Sequence, residues 1–332
     1  MATTTTSTDV KVYQEYVQGA FIETLQQEVD GFNEAGNGAL NFVTNIRRGQ
    51  FAYEAFFDEV SNIARRDPSN DSGTSAASTK LTQDDFVGVK INRRNGPYEW
   101  NVSAAKMAGF DPARFSVAVG EQTAVAVPKE ILDRTLGALE AKLDAVSALE
   151  YDATNGTIQI TDLNSGVALF GDAGRNIVLF VMHSKPFYNL VGDQLSSTAS
   201  VYASDVFGGV IFQGMPATLG RPVFVTDSPS LFSYTDQSTG SPVYSTLGLV
   251  RGAATIEMTE PPFTTLEGPI TGSDNLYLRW QSEYSYNLKL KGCAWLTTST
   301  ANPANTEVAT GSNWTTKVAS NKLLPGVVIR SL

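Results

Sequence analysis

The sequence predicts an α+β fold that combines long amphipathic helices with many short strands. Two segments, 11–30 and 128–149, repeat apolar residues with helical spacing. Between residues 151 and 310, short β-rich runs alternate with polar, glycine or proline segments. With 332 residues, 42% of them hydrophobic, the chain is long enough to bury a substantial core in one or two domains.

The N-terminal region begins with a Thr/Ser-rich arm, residues 1 to about 10, that has little apolar surface to bury. An apolar residue then recurs every fourth position, which predicts a helix over 11–30: these residues are Tyr13, Val17, Phe21, Leu25 and Val29. Residues 40–57 are aromatic and β-branched, which favours a strand.

A tight-turn signal lies further along the chain, at Asn95-Gly96. Val87, Val89 and Ile91 alternate on one side of it, and an aromatic alternation follows on the other side. Because Asn-Gly favours positive φ angles, the pattern predicts a hairpin that turns at 93–97. Residues 45–103 are therefore expected to form a long two-stranded excursion, which needs another part of the protein to lie on.

The strongest helical pattern is an apolar stripe with 4-3-4-3 spacing, formed by Leu132, Leu136, Leu139, Leu143 and Val146. Pro128 suits a first helical turn, although a start at Asp111-Pro112 would give a longer helix with a kink at Pro128. The stripe favours a helix that faces the core, with a coiled coil as the alternative.

After residue 150, the expected elements are mostly strands. They are Thr157–Ile160, Asn176–Met182, Pro222–Thr226, Thr255–Met258, Leu276–Trp280, Tyr286–Leu290 and a strand in the C-terminal tail. One helix is expected among them, over Pro186–Leu195.

The residues available for catalysis or metal binding are few. One histidine, His183, and one cysteine, Cys293, exclude multi-histidine zinc sites, cysteine clusters and disulfides within one chain. Phosphate-loop and nucleophile-elbow motifs are missing from the sequence. His183 ends an apolar run, which favours an imidazole bonded to nearby backbone. The sequence predicts no catalytic, metal or cofactor site, and so a protein that is not an enzyme.

The charge and hydropathy of the sequence indicate which classes of partner, nucleic acid or membrane, are to be expected. The chain has 34 acidic and 24 basic residues, a net charge of −10, and only 17% of its residues are charged. An acidic balance argues against a general nucleic-acid binder, which needs a basic face for the phosphates. The sequence contains no apolar run of transmembrane length, so no membrane partner is expected.

The order of these elements resembles the major capsid protein of tailed bacteriophages, the Hong Kong 97-type fold. Several strings in the expected order resemble one branch of that family: Lys80–Asp84, Val89–Arg94, Val181–Lys185, Gly220–Ser228, Thr246–Gly252, Leu288–Trp295, Asn313–Trp314 and Lys322–Val328. The resemblance implies an N-terminal arm (1–44), an extended β-hairpin loop (45–103), a peripheral domain with a spine helix (104–150), a mixed axial domain (151–310) and a C-terminal strand that returns to the peripheral domain (311–332).

The resemblance also implies a function. Copies would assemble as hexamers and pentamers into an icosahedral shell that encloses packaged double-stranded DNA, in the virion, after assembly in the host bacterial cytoplasm. The implied partners are copies of the chain, portal and scaffolding proteins, a decoration protein as a further candidate, and DNA by non-specific proximity. The alternative is an encapsulin-type nanocompartment of the same fold, which would enclose cargo enzymes. An enzyme, which would have to use His183, is a distant third class.

Contacts between subunits are expected where the loop and the arm would reach neighbours. Arginine pairs well with carboxylates under partial desolvation, and the acidic arm is the expected complement. The predicted contact residues are Arg47, Arg48, Phe57, Arg65, Arg66, Arg93 and Arg94 in the loop, and Glu23, Glu28 and Asp30 in the arm. Two alternatives stay open: the arginines are solvated surface charge, or the loop aromatics pack on the subunit's own helix.

Overall fold

A computed structural model describes residues 37–44, 49–57, 83–101, 112–196, 211–212, 218–233, 241–270, 277–298 and 300–332. The strands are β1 (Leu40–Thr44), β2 (Phe51–Phe57), β3 (Gln83–Asn101), β4 (Glu150–Ala153), β5 (Ile177–Met182), β6 (Ile211–Phe212), β7 (Val223–Val225), β8 (Phe232–Ser233), β9 (Val243–Val250), β10 (Ala254–Ile270), β11 (Tyr277–Leu290), β12 (Cys293–Trp295), β13 (Trp314–Thr316) and β14 (Gly326–Ser331). The helices are α1 (Pro112–Asp144), α2 (Ile160–Ala168), α3 (Ser184–Ser196) and α4 (Asn305–Val308). The helix expected over 11–30 lies outside the described residues.

The first sheet has the strand order β1-β10-β11-β3-β2. β1 runs parallel to β10, and the other neighbours are antiparallel. Because side chains alternate along a strand, Val89 and Ile91 of β3 share a face with Leu288 and Tyr286 of β11, their register partners. All four side chains are buried, so this face forms part of the core.

The hairpin turn predicted at 93–97 is wrong, because β3 runs without a break from Gln83 to Asn101. Asn95 pairs opposite Ser282 and Tyr98 opposite Trp280, so Gly96 and Pro97 form a bulge in a continuous strand. Gly96 has the expected positive φ, +83°. The sequence therefore predicted the backbone conformation of Gly96 correctly, but a positive φ occurs in β-bulges as well as in turns. β3 does form a hairpin, with β2, and residues 58–82 connect the two strands.

The second sheet has the order β4-β14-β9-β5-β7-β6, and β8 pairs with β9. The C-terminal strand β14 lies between β4 and β9, and its Arg330 contacts Glu140 and Asp144 of α1. The expected return of this strand to a peripheral domain stays a prediction. β10 and β11 belong to the first sheet, together with β3 of the expected loop. Both arrangements depend on pairing between strands distant in sequence, which local patterns do not encode.

The spine helix α1 spans 33 residues, about 50 Å at 1.5 Å per residue. It starts at Pro112 and contains Pro128, as in the longer of the two predicted versions. Leu136, Leu139 and Leu143 are completely buried within one core cluster, so the stripe belongs to a core-facing helix. The helix ends at Asp144, five residues before the predicted end, and a 3₁₀ turn follows at Ser147–Leu149.

Two further helices, α2 and α3, follow α1 in the chain. Pro186–Leu195 was predicted helical and lies within α3. The strand predicted over Thr157–Ile160 is wrong, because residues 157–159 are irregular and α2 begins at Ile160. A capping box explains the helix: Gln159 and Asp162 bond reciprocally across the first turn, and the Gln159 N–H donates to Asp162 at 2.8 Å.

Candidate assembly surfaces

The structure places few of the predicted contact residues. Arg93 and Arg94 lie on β3, and Phe57 is the last residue of β2, with its side chain outside the description. The remaining predicted contacts lie outside the described residues: Arg47, Arg48, Arg65, Arg66, Glu23, Glu28 and Asp30. Their role as contacts between subunits stays a prediction.

Arg93 has a partner within its own chain. Its side chain is on the core face of β3, where Nε lies 3.1 Å from Oε1 of Glu130 on α1. Arg134, one turn further along α1, approaches the same oxygen at 3.4 Å, and the Tyr284 hydroxyl of β11 donates to Oε2 at 3.3 Å. Burial, followed by the Glu130 charge, raises the pKa of Tyr284. This Glu130 cluster ties β3 and β11 to the spine helix.

The next carboxylate on α1, Asp133, anchors another segment. Its buried side chain accepts hydrogen bonds from the hydroxyls of Ser228 and Ser230, the latter at 2.8 Å, and contacts Nη2 of Arg134 at 2.7 Å. Ser228 also caps the 3₁₀ turn Pro229–Leu231, so its hydroxyl fixes both the turn and the turn's position on the helix.

Arg94 lies on the opposite face of β3 and is exposed. Its register partner on β11 is Glu283. Of the loop aromatics, Phe56 stacks on Phe86 with ring centroids 3.9 Å apart, whereas Tyr53 is 56% exposed. Phe56 thus packs on the neighbouring strand β3, and contacts of the loop aromatics with another subunit stay a prediction.

A lysine bridges three strands on the polar face of the first sheet. Lys289 of β11 contacts the buried Glu257 of β10 at 2.9 Å and the exposed Glu54 of β2 at 3.3 Å. Its aliphatic stem crosses β3 at Gly88, where an added Cβ would lie 2.6 Å from the lysine Cγ. The glycine is therefore required by the close approach of this side chain.

The C-terminal region holds the base of the loop. Lys317 contacts both carboxylate oxygens of Asp84, at 3.0 and 2.9 Å. That hydrogen bond holds the pKa of Asp84 below its usual range. A second joint connects the spine helix with β14, where Arg330 contacts three carboxylates: Glu140 at 3.3 Å, Glu150 at 2.9 Å, and Asp144.

At this second joint, three carboxylates share the single guanidinium group of Arg330. Burial raises the pKa of Glu140, although Arg330 and a 3.1 Å hydrogen bond from Ser245 oppose the shift. Burial also raises the pKa of Glu150. The positive charge of Arg330 therefore does not fully offset the burial of these two carboxylates.

His183 lies one residue beyond β5, as the sequence predicted. Its Nδ1 accepts a hydrogen bond from the Lys185 backbone N–H at 3.3 Å, which confirms an imidazole bonded to nearby backbone. Asp227 lies 3.6 Å from Nε2, and its pKa is lowered first by a hydrogen bond from Ser184. Ser184 thus donates to the Asp227 carboxylate, and its Oγ lies 3.4 Å from Nδ1 of His183.

The described residues include one cysteine thiol and the carboxylates and imidazole that could bind a metal ion. Cys293 is buried, and burial raises the pKa of its thiol to about 11. No group of three or more His, Cys, Asp or Glu side chains in the described parts is placed to hold a metal ion. None of the helices described is both long and apolar enough to cross a bilayer.

Sequence reasoning missed one exposed residue on a helix. Tyr188 of α3 is 63% exposed although the neighbouring Phe187 is buried. A signal was present, because Phe187 and Leu190 set the inward face of the helix and leave Tyr188 on the outward one.

Comparisons with known proteins agree with this architecture. The model of the family described as Gp13-like, major capsid protein 13-like, matches residues 9–328. A Mycobacterium phage Cain structure has a TM-score of 0.56 at 10% identity, with 90% of each chain covered. A Microbacterium phage Oxtober96 structure has a TM-score of 0.55 at 12% identity, again with 90% of each chain covered. A chain of the cyanophage Pam1 capsid asymmetric unit has a TM-score of 0.52 at 10% identity, covering 86% of this chain and 85% of that one.

No curated protein is similar enough to this chain to be matched to it. The structural likenesses establish the Hong Kong 97-type fold, and the family model spans nearly the whole sequence. The chain therefore belongs to the major capsid protein 13-like family of phage capsid subunits.

Proposed function

We propose that copies of this chain assemble as hexamers and pentamers into the icosahedral shell of a tailed phage, around packaged double-stranded DNA. The match of the capsid-protein family model to residues 9–328 carries this proposal. The family is structural, and the geometry supports a structural role: the polar clusters join sheets and helix and leave exposed side chains for neighbours. Assembly in the host cytoplasm, with portal and scaffolding proteins and a decoration protein as further partners, belongs to the same proposal.

Composition supports the same role. With 17% charged residues, the subunit can bury much of its surface against other copies at a low desolvation cost. The net charge of −10 opposes adhesion of DNA phosphates, so packaged DNA would be held by confinement in the shell.

Electron microscopy of the expressed chain, alone and with the products of neighbouring genes, tests the proposal. We expect closed icosahedral particles, and DNA in the particles produced during infection. An encapsulin-type shell would instead contain cargo protein, so the contents of purified particles distinguish the two functions. A chain that remains monomeric under every assembly condition would contradict both.

Arg94 offers a test of contacts between subunits. Arg93 is held by Glu130, so reversal of its charge acts on the fold of the subunit. The exposed Arg94 carries the prediction of pairing with an acidic neighbouring segment, such as the arm residues Glu23, Glu28 and Asp30. Arg94→Glu should lower particle yield, with a stronger dependence on salt, by much more than it changes the unfolding of the subunit, where it places a glutamate opposite Glu283. Wild-type yield at both low and high salt would refute the pairing.

The loop aromatics offer a second test, in which neighbouring subunits would cover aromatic side chains of β2. Phe57→Ala should impair assembly more than it impairs folding of the subunit, because a buried aromatic ring contributes about 1.5–3 kcal/mol. Tyr53→Ser, at the exposed position nearby, should act in the same direction. Normal particle yield from a destabilised subunit would contradict this proposal.

A further inference from the structure

The chain contains three Asn-Gly pairs, and the structure holds them in different ways. They are Asn37-Gly38, Asn95-Gly96 and Asn155-Gly156. An asparagine followed by glycine deamidates readily, because glycine has no Cβ to hinder attack of its backbone nitrogen on the asparagine side chain. The attack also requires the backbone between the two residues to rotate. The surrounding structure therefore decides which of the three pairs reacts in the folded protein.

The pair Asn95-Gly96 lies inside a paired strand. Asn95 is opposite Ser282 of β11, and its Nδ2 atom is buried. A Cβ added to Gly96 would lie 2.8 Å from the backbone oxygen of Trp280, so β11 packs closely against this pair. Rotation of the backbone here would break the pairing between β3 and β11, and the reaction must wait for local unfolding.

The pair Asn37-Gly38 is held at both residues. The Asn37 side chain donates from Nδ2 to the backbone oxygen of Val178 at 3.2 Å. The backbone oxygen of Gly38 accepts a hydrogen bond from the Gly252 N–H at 2.8 Å, just before β1 begins. These two bonds fix the side chain that would be attacked and the backbone that would have to rotate.

The pair Asn155-Gly156 lies in the turn that follows β4, and Asn155 is exposed. Among the described residues, no hydrogen bond from the Asn155 side-chain amide is found. The Gly156 N–H donates to the backbone oxygen of Ala153 at 3.3 Å, which is long for a hydrogen bond of this kind. Attack by the Gly156 nitrogen therefore has to break a weak bond in a turn, whereas the other two pairs are held by strand pairing or shorter bonds.

We infer that Asn155 is a site of spontaneous deamidation in the folded subunit. The backbone nitrogen of Gly156 loses its proton to hydroxide and attacks Cγ of Asn155, which closes a succinimide ring. The bond from Cγ to the side-chain nitrogen breaks, and this nitrogen leaves as ammonia after it takes a proton from water. Water then opens the ring at one of its two carbonyl groups, giving aspartate or isoaspartate. Each modified chain exchanges an NH2 group for an OH group and gains one negative charge at neutral pH.

The product forms next to the residue that follows β14. The backbone oxygen of Gly156 accepts a hydrogen bond from the Leu332 N–H at 3.0 Å. Isoaspartate adds a methylene group to the main chain immediately before Gly156, so this bond is expected to weaken in the modified chain.

Incubation of the folded chain in water enriched in heavy oxygen tests the inference. Ring opening places a heavy oxygen atom in the new carboxylate, whereas deamidation during later digestion in ordinary water does not. Peptide mass spectrometry gives the rate at each of the three asparagines, in the folded chain and in denaturant. Folding should slow the reaction of Asn37 and Asn95 several-fold and that of Asn155 much less. Equal slowing of all three, or no incorporation at Asn155 in the folded chain, would overturn the inference.

Gly156→Ala is the matched variant. Gly156 is not among the described glycines with positive φ, and an added Cβ would meet nothing within 4 Å among the described residues, so the turn should accept alanine. The new Cβ hinders the attack, and incorporation at Asn155 should fall several-fold, with the rates at Asn37 and Asn95 unchanged. Undiminished incorporation at Asn155 in this variant would contradict attack by the backbone nitrogen of residue 156.

Discussion

The two sheets of the subunit are stabilised in different ways. In the second sheet, five of the six residues of the central strand β5 are buried and all six are apolar, and seven of the eight residues of its neighbour β9 are buried. In the first sheet, one face is apolar toward α1, while the other buries polar side chains, among them Glu257, Ser285 and Asn287. Packing should therefore govern the second sheet, and specific polar partners should govern the first.

The largest expected effect tests the dependence on packing. Phe180 of β5 is completely buried, so Phe180→Ala should lower the free energy of unfolding by about 3–5 kcal/mol, measured by chemical denaturation. Phe180→Leu keeps most of the volume and should cost less than about 1.5 kcal/mol. Similar costs for the two variants would show that side-chain volume does not govern this sheet.

The Glu130 cluster tests the role of polar partners in the first sheet. Glu130→Gln removes the charge shared by Arg93, Arg134 and Tyr284 and should cost about 1–3 kcal/mol of unfolding free energy. Glu121→Gln, at an exposed position of the same helix, is the control and should change stability by less than about 0.5 kcal/mol. Equal effects of the two substitutions would contradict a specific role for the cluster.

The two carboxylates that contact Lys289, Glu257 and Glu54, allow a buried and an exposed partner of the same lysine to be compared within the first sheet. Glu257→Gln leaves the half-buried Lys289 ammonium without its closer partner and should cost about 1–2 kcal/mol. Glu54→Gln changes the exposed partner of the same lysine and should cost less than about 1 kcal/mol. The reverse order of effects in denaturation would mean that burial does not determine the strength of this bridge.

The smallest effect concerns pH at the Arg330 joint. The folded-state pKa of Glu140 is raised, so its protonated form is favoured by folding, and the associated stability is lost as the pH rises through that pKa. Glu140→Gln mimics the neutral form and should gain in stability relative to the wild type as the pH increases. Asp84, whose pKa is lowered by Lys317, supplies the opposite sign: its contribution is lost as the pH falls. A gain of Glu140→Gln at acidic pH would contradict the assignment.

Sequence reasoning succeeded where structure is encoded locally. The stripe of α1, the alternation of Val87, Val89 and Ile91, and the helix within α3 all depend on periodicity, and all are found. It failed at Asn95-Gly96, where the same backbone conformation serves a bulge.

Partners distant in sequence were not accessible to the same reasoning. Lys289 reaches Glu54 across Gly88, and Arg93 reaches Glu130, through strand pairings that no local pattern specifies. For the same reason the sequence predicted Arg93 as a contact between subunits and did not indicate its partner Glu130 in the same chain, whereas its neighbour Arg94 is exposed. Contacts across sheets need the fold before they can be recognised.

The position of β14 has a consequence for the timing of synthesis. This strand fills the gap between β4 and β9, yet it follows every other strand of its sheet in the chain. While the ribosome is still translating residues before 326, β4 and β9 have no shared neighbour, and the Arg330 joint to the spine helix does not exist. Because a domain folds as a cooperative unit, this half of the subunit matures late. A prematurely terminated chain therefore lacks the strand that joins β4 to β9 and carries Arg330, so we expect this sheet to stay incomplete in such a chain.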